Sequence, residues 1–353
     1  MLATAGLAFA TVPFKVADYA TPGGDPWGTS FDVSGNLWVA MPGCDLPDVS
    51  NPCAQSTLPG KLALFNPNTH QFTIVVTLGI DSRPLFVAVA PDGRVWFTLP
   101  LSNSVGVYDP SNGSVAEWAV PTGSAEPWDL AVDPRGKVWF TENLASKIAT
   151  FDPATRIFSE FATPTPDSMP YGITVDPNGP VWFTENNDSV AQIGEFTPDR
   201  GIVEYKIRNT PTIGLTPHLI TEDQHGNPWW SEGFVGAVGT LNVQQAQPGT
   251  NNGVRENVYS TCGAFCGFHT SGILYHDGRI WFDDSVMNSN GGPSGHGAFG
   301  WIPEGGGPFT FYNPPGAHPH DGLNVDPSGR VFFDEEFSDA LAQTTATNGP
   351  LKG

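Results

Sequence analysis

Residues 317–336 read AHPHDGLNVDPSGRVFFDEE, with His318 and His320 one residue apart and Asp334 and Glu335 near the end of the run. Neutral imidazoles accept protons near neutrality and bind metals, and carboxylates orient imidazoles or hold hard cations. Two more histidines have the same setting. His218 precedes LITEDQHGNPWWSE, which ends at Glu232, and His269 precedes a segment that ends at Asp283 and Asp284. The chemistry these residues suit is proton abstraction or metal ligation. A Gly-x-Ser-x-Gly nucleophile turn and a His-Glu-x-x-His zinc helix are both absent from the sequence.

The elements that must position these residues are repeats. PDGRVWFTL (91–99), PRGKVWFTE (134–142) and PNGPVWFTE (177–185) are one motif. Looser copies are VSGNLWVAM (33–41), QHGNPWWSE (224–232), YHDGRIWFDD (275–284) and PSGRVFFDE (327–335). Their turn glycines recur 43 to 58 residues apart, the period of propeller blades. Each copy reads as strand, Asp-Pro-x-Gly turn, strand, with two further strands behind. Seven such units without an amphipathic helix predict an all-β, seven-bladed propeller of four-stranded antiparallel blades. The last copy has chain for three strands only. The stretch FKVADYATPGGDPWG (14–28) parallels IFSEFATPTPDSMPYG (157–172), so residues 14–20 are expected to pair into the last blade and close the ring. One propeller over 14–345 follows, with residues 1–13 and 346–353 as tails.

Residues equidistant from an antiparallel turn face each other. This pairs Pro127 with Glu142, Pro170 with Glu185, His218 with Ser231 or Glu232, His269 with Asp284, and His320 with Glu335. The ends concerned lie at the channel mouth, so Glu142, Glu185, Glu232, Asp284 and Glu335 are expected as an arc of carboxylates, completed by Met41 and Leu99. Such an arc calls for cations, and His318, Glu335, Asp284, His218 and Glu232 are the candidate metal ligands. His320 and His269 are the candidate catalytic residues. The long insertions, 42–60, 248–268 and 286–298, all emerge on this face and would wall a site. His70, His225 and His276 fall in turns on the far side and are expected to be solvated. His296 lies in the glycine-rich GGPSGHGAFG, read as a lip of the mouth. A histidine or glutamate in such repeats often serves only to satisfy backbone groups, which is the bland reading for Glu142 and Glu185. The repeated Trp residues are core.

Composition narrows the function. With 15 Lys and Arg against 36 Asp and Glu, the formal charge is −21, which repels nucleic acid and anionic membranes. No stretch has the length of a membrane span. The opening MLATAGLAFA reads either as the remnant of an export signal or as an ordinary tail. Cys44/Cys53 and Cys262/Cys266 form two close pairs, most simply two local disulfides, which suit a secreted or periplasmic protein. Cys262, Cys266 and His269 are alternatively a metal site.

The repeat, complete as PYGITVDPNGPVWFTE at 170–185, resembles that of the streptogramin B lyases (virginiamycin B lyase) and their propeller relatives over nearly the whole chain. The resemblance implies a divalent metal, usually Mg2+, at the propeller mouth. It further implies a catalytic histidine that opens an ester C–O bond of a cyclic depsipeptide by elimination. In its terms His269 is the first histidine, the His-Pro-His at 318–320 is the second motif with His320 as general base, and Asp334 or Glu335 is the acid. The chain departs from the family at His318, where the family has Glu, and at Asp321, an extra residue. The expected ligand is a small ester, lactone or depsipeptide, and a monomer is expected. A metal-dependent lactonase and a non-catalytic binding propeller with a structural cation are the alternatives.

Overall fold

The computed structural model describes residues 14–44, 53, 56–177, 179–210, 212–259, 269–285, 297–313, 318–335 and 338–346. Cys262, Cys266 and His296 lie outside the described residues. The strands form seven four-stranded antiparallel sheets, one per repeat. Blade 1 is built from Thr29–Phe31, Leu37–Met41, Lys61–Asn66 and Gln71–Thr77, and blades 2 to 6 follow in chain order. Blade 7 takes Asn324–Val325, Val331–Glu335 and Ala340–Ala346, and its fourth strand is Phe14–Ala20. That strand pairs from Phe14 opposite Ala346 to Ala20 opposite Ala340. The expected closure is therefore present, and it pairs the two strand edges that an open ring would leave exposed.

Burial explains the strand patterns. The second strands, such as Val138–Glu142 and Val181–Glu185, are buried at every position, because blades pack on both of their faces. The outermost strand Gln71–Thr77 alternates between exposed and half-buried residues. The Asp-Pro-x-Gly turn is set by its aspartate. Asp133 Oδ1 accepts the N–H groups of Arg135 and Lys137 at 2.8 and 2.9 Å, and Gly136 supplies a φ of +83°. Gly194 has no side chain for another reason, since a Cβ there would lie 2.0 Å from the ring of Phe183. Aromatic rings then meet across the seams, as Trp139 with Phe196 at 5.2 Å and Phe299 with Phe333 at 5.4 Å.

One hydroxyl repeats at the seams. Thr98, Thr141, Thr184 and Ser231 each accept an N–H from their own blade's first strand, from Phe86, Asp129, Gly172 and Leu219. Each donates its proton to a carbonyl of the next blade, those of Trp128, Tyr171, His218 and Ser271, at 2.5 to 2.8 Å. The latch joins blades 2 through 6 at the wall of the channel. Cys44 and Cys53 form a disulfide within the insertion of blade 1. No helix among the described residues is long and apolar enough to cross a membrane.

Thr184→Val keeps the shape and removes the latch, leaving the Gly172 N–H and the His218 carbonyl without their shared partner. Its expected cost is about 1–3 kcal/mol, read by denaturant unfolding.

Candidate functional site

The register differs from expectation at two of the three histidines. Glu232 faces Pro217, Asp284 faces Thr270, and Glu335 bridges to Pro319, while Pro127 and Pro170 face Glu142 and Glu185 as expected. His218 thus lies at the Ser231–Glu232 step, as expected, whereas His320 lies one residue past the position that faces Glu335 and His269 one residue before the position that faces Asp284. The first strands are bulged just beyond these positions in blades 3 to 6, including blades 3 and 4, where the expected pairs hold.

Three histidines nevertheless meet. His269 lies between His218 and His320, with ring centroids 5.3 and 5.1 Å away. Aromatic rings surround them: Tyr171 beside His218 at 5.1 Å, Phe234 stacked on His269 at 5.3 Å, and Trp27 edge-on to His320 at 4.8 Å. His218 and His320 are each 6% exposed. His218 Nδ1 donates to the Thr216 carbonyl at 2.6 Å, which leaves Nε2 with its lone pair. Burial lowers the His218 pKa, partly offset by the Asp321 charge. Burial, then the neighbouring His320 and His218, hold His269 well below the usual imidazole range. Both rings are neutral at neutral pH.

The acids expected in one arc are turned elsewhere. Glu142 sits with Lys147 and Glu160 of its own blade. Glu185 accepts from Gln192 Nε2 at 3.3 Å, and Glu232 from Trp230 Nε1 at 3.0 Å, beside Glu256 and Arg208. Asp284 Oδ2 accepts the Tyr259 hydroxyl at 2.7 Å, and its Oδ1 accepts the His269 N–H at 3.2 Å. Glu335 accepts the His318 N–H at 2.8 Å, and its pKa is pushed up to about 7, first by burial. The reason is strand alternation: neighbouring residues point to opposite faces, and the face toward the next blade belongs to the residue before each of these acids.

Two of those preceding residues are Asp283 and Asp334, and Asp334 with Asp321 supplies carboxylates beside His320. His320 Nδ1 lies 3.9 Å from Asp321 Oδ2 and 3.9 Å from Asp334 Oδ2. Tyr171 reaches from blade 4 to blade 7 to donate to Asp321 Oδ2 at 3.2 Å, a polar bridge across the channel. Burial, with the nearby Asp321 charge, holds Asp283 and Asp334 well above the usual carboxylate range, against the hydrogen bonds from Gly272 and Gly322, which lower them. Asp283 escaped the sequence reading, although the change from Thr or Ser to Asp within the WFTE-like copies was visible. Among the described residues, no three His, Cys, Asp or Glu side chains are placed to hold a metal ion together. On the far side, His70 stacks on Tyr19 at 5.0 Å, and His225 is exposed, 3.7 Å from Glu304.

The fold and this channel define a seven-bladed propeller with a histidine-walled, acid-lined bore. The sequence model of the Virginiamycin B lyase family matches residues 65–251, over half of the chain, and the protein belongs to that family. The matched stretch holds His218 and Glu232 and ends before His269 and His320. Among solved structures, virginiamycin B lyase from Staphylococcus aureus is 22% identical with a TM-score of 0.73, over 94% of this chain and 99% of that one. A structure titled streptogramin B lyase is 19% identical at the same TM-score, over 94% and 97%. A catalytically inactive histidine-to-alanine variant of the Staphylococcus aureus enzyme, solved with quinupristin, is 21% identical, over 94% and 99%, also at a TM-score of 0.73. At these identities the likeness establishes the fold. No curated protein sequence matches.

Glu142, fully buried, has its pKa raised to about 8, chiefly by burial, and Glu222 is raised to about 8 likewise. Acids raised in the folded state stabilise it fully below their unfolded value, near 4.5, and that stability is lost as pH rises through about 8. Thermal unfolding should therefore occur at lower temperature at pH 8 than at pH 5, and Glu142→Gln should flatten the slope.

Proposed function

We propose that the protein is a lyase of the streptogramin B type, which opens an ester C–O bond in a small cyclic depsipeptide or lactone by elimination. The observation that carries this reading is the contact of His218, His269 and His320 in the bore of a member of the virginiamycin B lyase family. Neutral imidazoles in a half-closed aromatic pocket suit proton abstraction from carbon, which needs a base and no nucleophile. His320 is the base. His269, held neutral between the other two rings, sits beside it and orients the ligand.

In the step proposed, the proton on the carbon next to the ester-bearing carbon passes to His320. The C–H pair becomes a C=C bond, the C–O bond breaks, and the leaving group departs as a carboxylate. Trp27, Tyr171 and Phe234 give the ligand apolar walls and keep bulk water from the base.

The resemblance implies Mg2+, for which His318, Glu335, Asp284, His218 and Glu232 were the expected ligands. Those side chains do not converge as placed, since Glu232 bonds to Trp230 of its own blade and Asp284 to Tyr259 beside the preceding one, and no step here runs through a cation. The metal question is answered by comparing turnover after chelation with turnover after Mg2+ is restored. The Cys44–Cys53 disulfide supports a secreted or periplasmic setting.

The test is incubation with quinupristin and with simple lactones, followed by mass spectrometry of the product. Elimination opens the ring at unchanged mass, whereas a gain of one water marks a hydrolase. His320→Ala should cut turnover by about 10²–10⁴-fold, and His269→Ala should also impair it. Turnover that survives loss of both histidines would sink the catalytic reading and leave a binding propeller.

A further inference from the structure

The seam latch of blades 2 to 5 is replaced at blades 6 and 7. In place of the Thr or Ser stand Asp283 and Asp334. Each still accepts its own blade's N–H through Oδ1, from Gly272 at 2.9 Å and from Gly322 at 2.6 Å. Neither makes the onward bond to the next blade that the hydroxyl makes: Oδ2 of each is buried without a hydrogen-bond partner. Those two seams give up a hydrogen bond and acquire an orphaned buried oxygen, a net loss for stability.

A second departure lies in the same place. Blade 4 runs Pro170-Tyr171-Gly172, whereas blade 7 runs Pro319-His320-Asp321-Gly322, one residue longer. The extra residue carries Asp321 into the bore, where the side chain is almost fully buried and takes the Tyr171 hydroxyl from the opposite wall. Its other oxygen has no hydrogen-bond partner. Both departures end at one atom, His320 Nδ1, which is equidistant from Asp321 Oδ2 and Asp334 Oδ2.

We propose that Asp321 and Asp334 are positioning residues for His320, a two-carboxylate cradle that keeps Nδ1 protonated between them and presents Nε2 as the basic atom. This rests on the reading of His320 as the base. At 3.9 Å neither contact is a direct hydrogen bond, so in the free protein the hold is electrostatic, and it tightens once a ligand excludes water. When Nε2 takes the substrate proton, the imidazolium charge falls between two carboxylates in a poorly solvated bore, where such a field acts strongly. The other groups facing the ring are His269 and the edge of Trp27, neither of which carries negative charge. The lost latch at Asp334 is thus exchanged for function, as buried polar groups at active sites commonly are.

The distinguishing variant is Asp334→Thr, which installs the latch residue of blades 2 to 4. Asp321→Asn keeps the shape and still offers an oxygen to Tyr171. Both are compared with the wild-type chain by 15N NMR of labelled histidine, by thermal unfolding and by turnover of quinupristin. The wild-type His320 should carry its proton on Nδ1. In each variant the His320 15N resonances should lose the pattern of a proton fixed on Nδ1, and turnover should fall at least about tenfold. Asp334→Thr should meanwhile unfold at the same temperature or higher. Unchanged His320 15N resonances in both variants would overturn the cradle, whatever happens to stability. If His320→Ala leaves turnover intact while the variants still shift the His320 resonances, the base assignment fails and the cradle stands. If quinupristin is not turned over by the wild type, the NMR result decides alone.

Discussion

A ring of blades holds together only if each blade is fixed to the next near the axis, where the strands crowd and water is excluded. In this protein a single side-chain hydroxyl does that at four successive seams, accepting from one blade and donating to the following one. A hydroxyl suits the position because it can give and take a hydrogen bond at once. Around that device the second strands can be buried on both faces, and the apolar Trp and Phe residues close the seams further out. Where the hydroxyl is absent, as at Ala40, Asp283 and Asp334, the wall of the bore changes character. One of those three exceptions, Asp334, lies beside His320.

The acids of this chain therefore fall into two populations that composition cannot separate. One is paired with its own sheet or the loop beside it, as Glu160 is with Lys147 and Thr122. It ties connecting loops to outer strands, and burial raises the pKa of Glu142, beside Glu160, to about 8. The other lies on the face toward the following blade and reaches the bore. A sequence carrying a charge of −21 suggests a broad negative funnel. The folded chain instead spends much of that charge inside individual blades and keeps a small, local acid cluster next to three imidazoles.

Much of the fold was legible in the sequence. The seven copies of the Gly-x-Val-Trp-Phe motif and the spare strand at 14–20 determined the blade number and the closure, because a blade is a local unit with a strong period-two pattern and a turn set by its own aspartate. The meeting of His218, His269 and His320 was also legible, since equivalent positions in adjacent repeats must be neighbours in a ring. Less legible was the company they keep. The expected pairings of His269 with Asp284 and of His320 with Glu335 were off by one position, in opposite directions, because the two histidines stand at different distances from their turns.

The sequence by itself thus determined the architecture and the set of histidines that share a wall. Only the tertiary structure decided which carboxylates face them. A strand presents alternate residues to opposite sides, so a one-residue shift moves an acid from the bore to the seam behind it. Asp334 and Glu335 are adjacent in the chain and alike in chemistry, yet one meets His320 and the other accepts the His318 N–H. Asp321 reads as a stray insertion until the ring closes. Its partner Tyr171 is 150 residues away and three blades around the axis, a contact that exists only because the propeller brings opposite walls within reach.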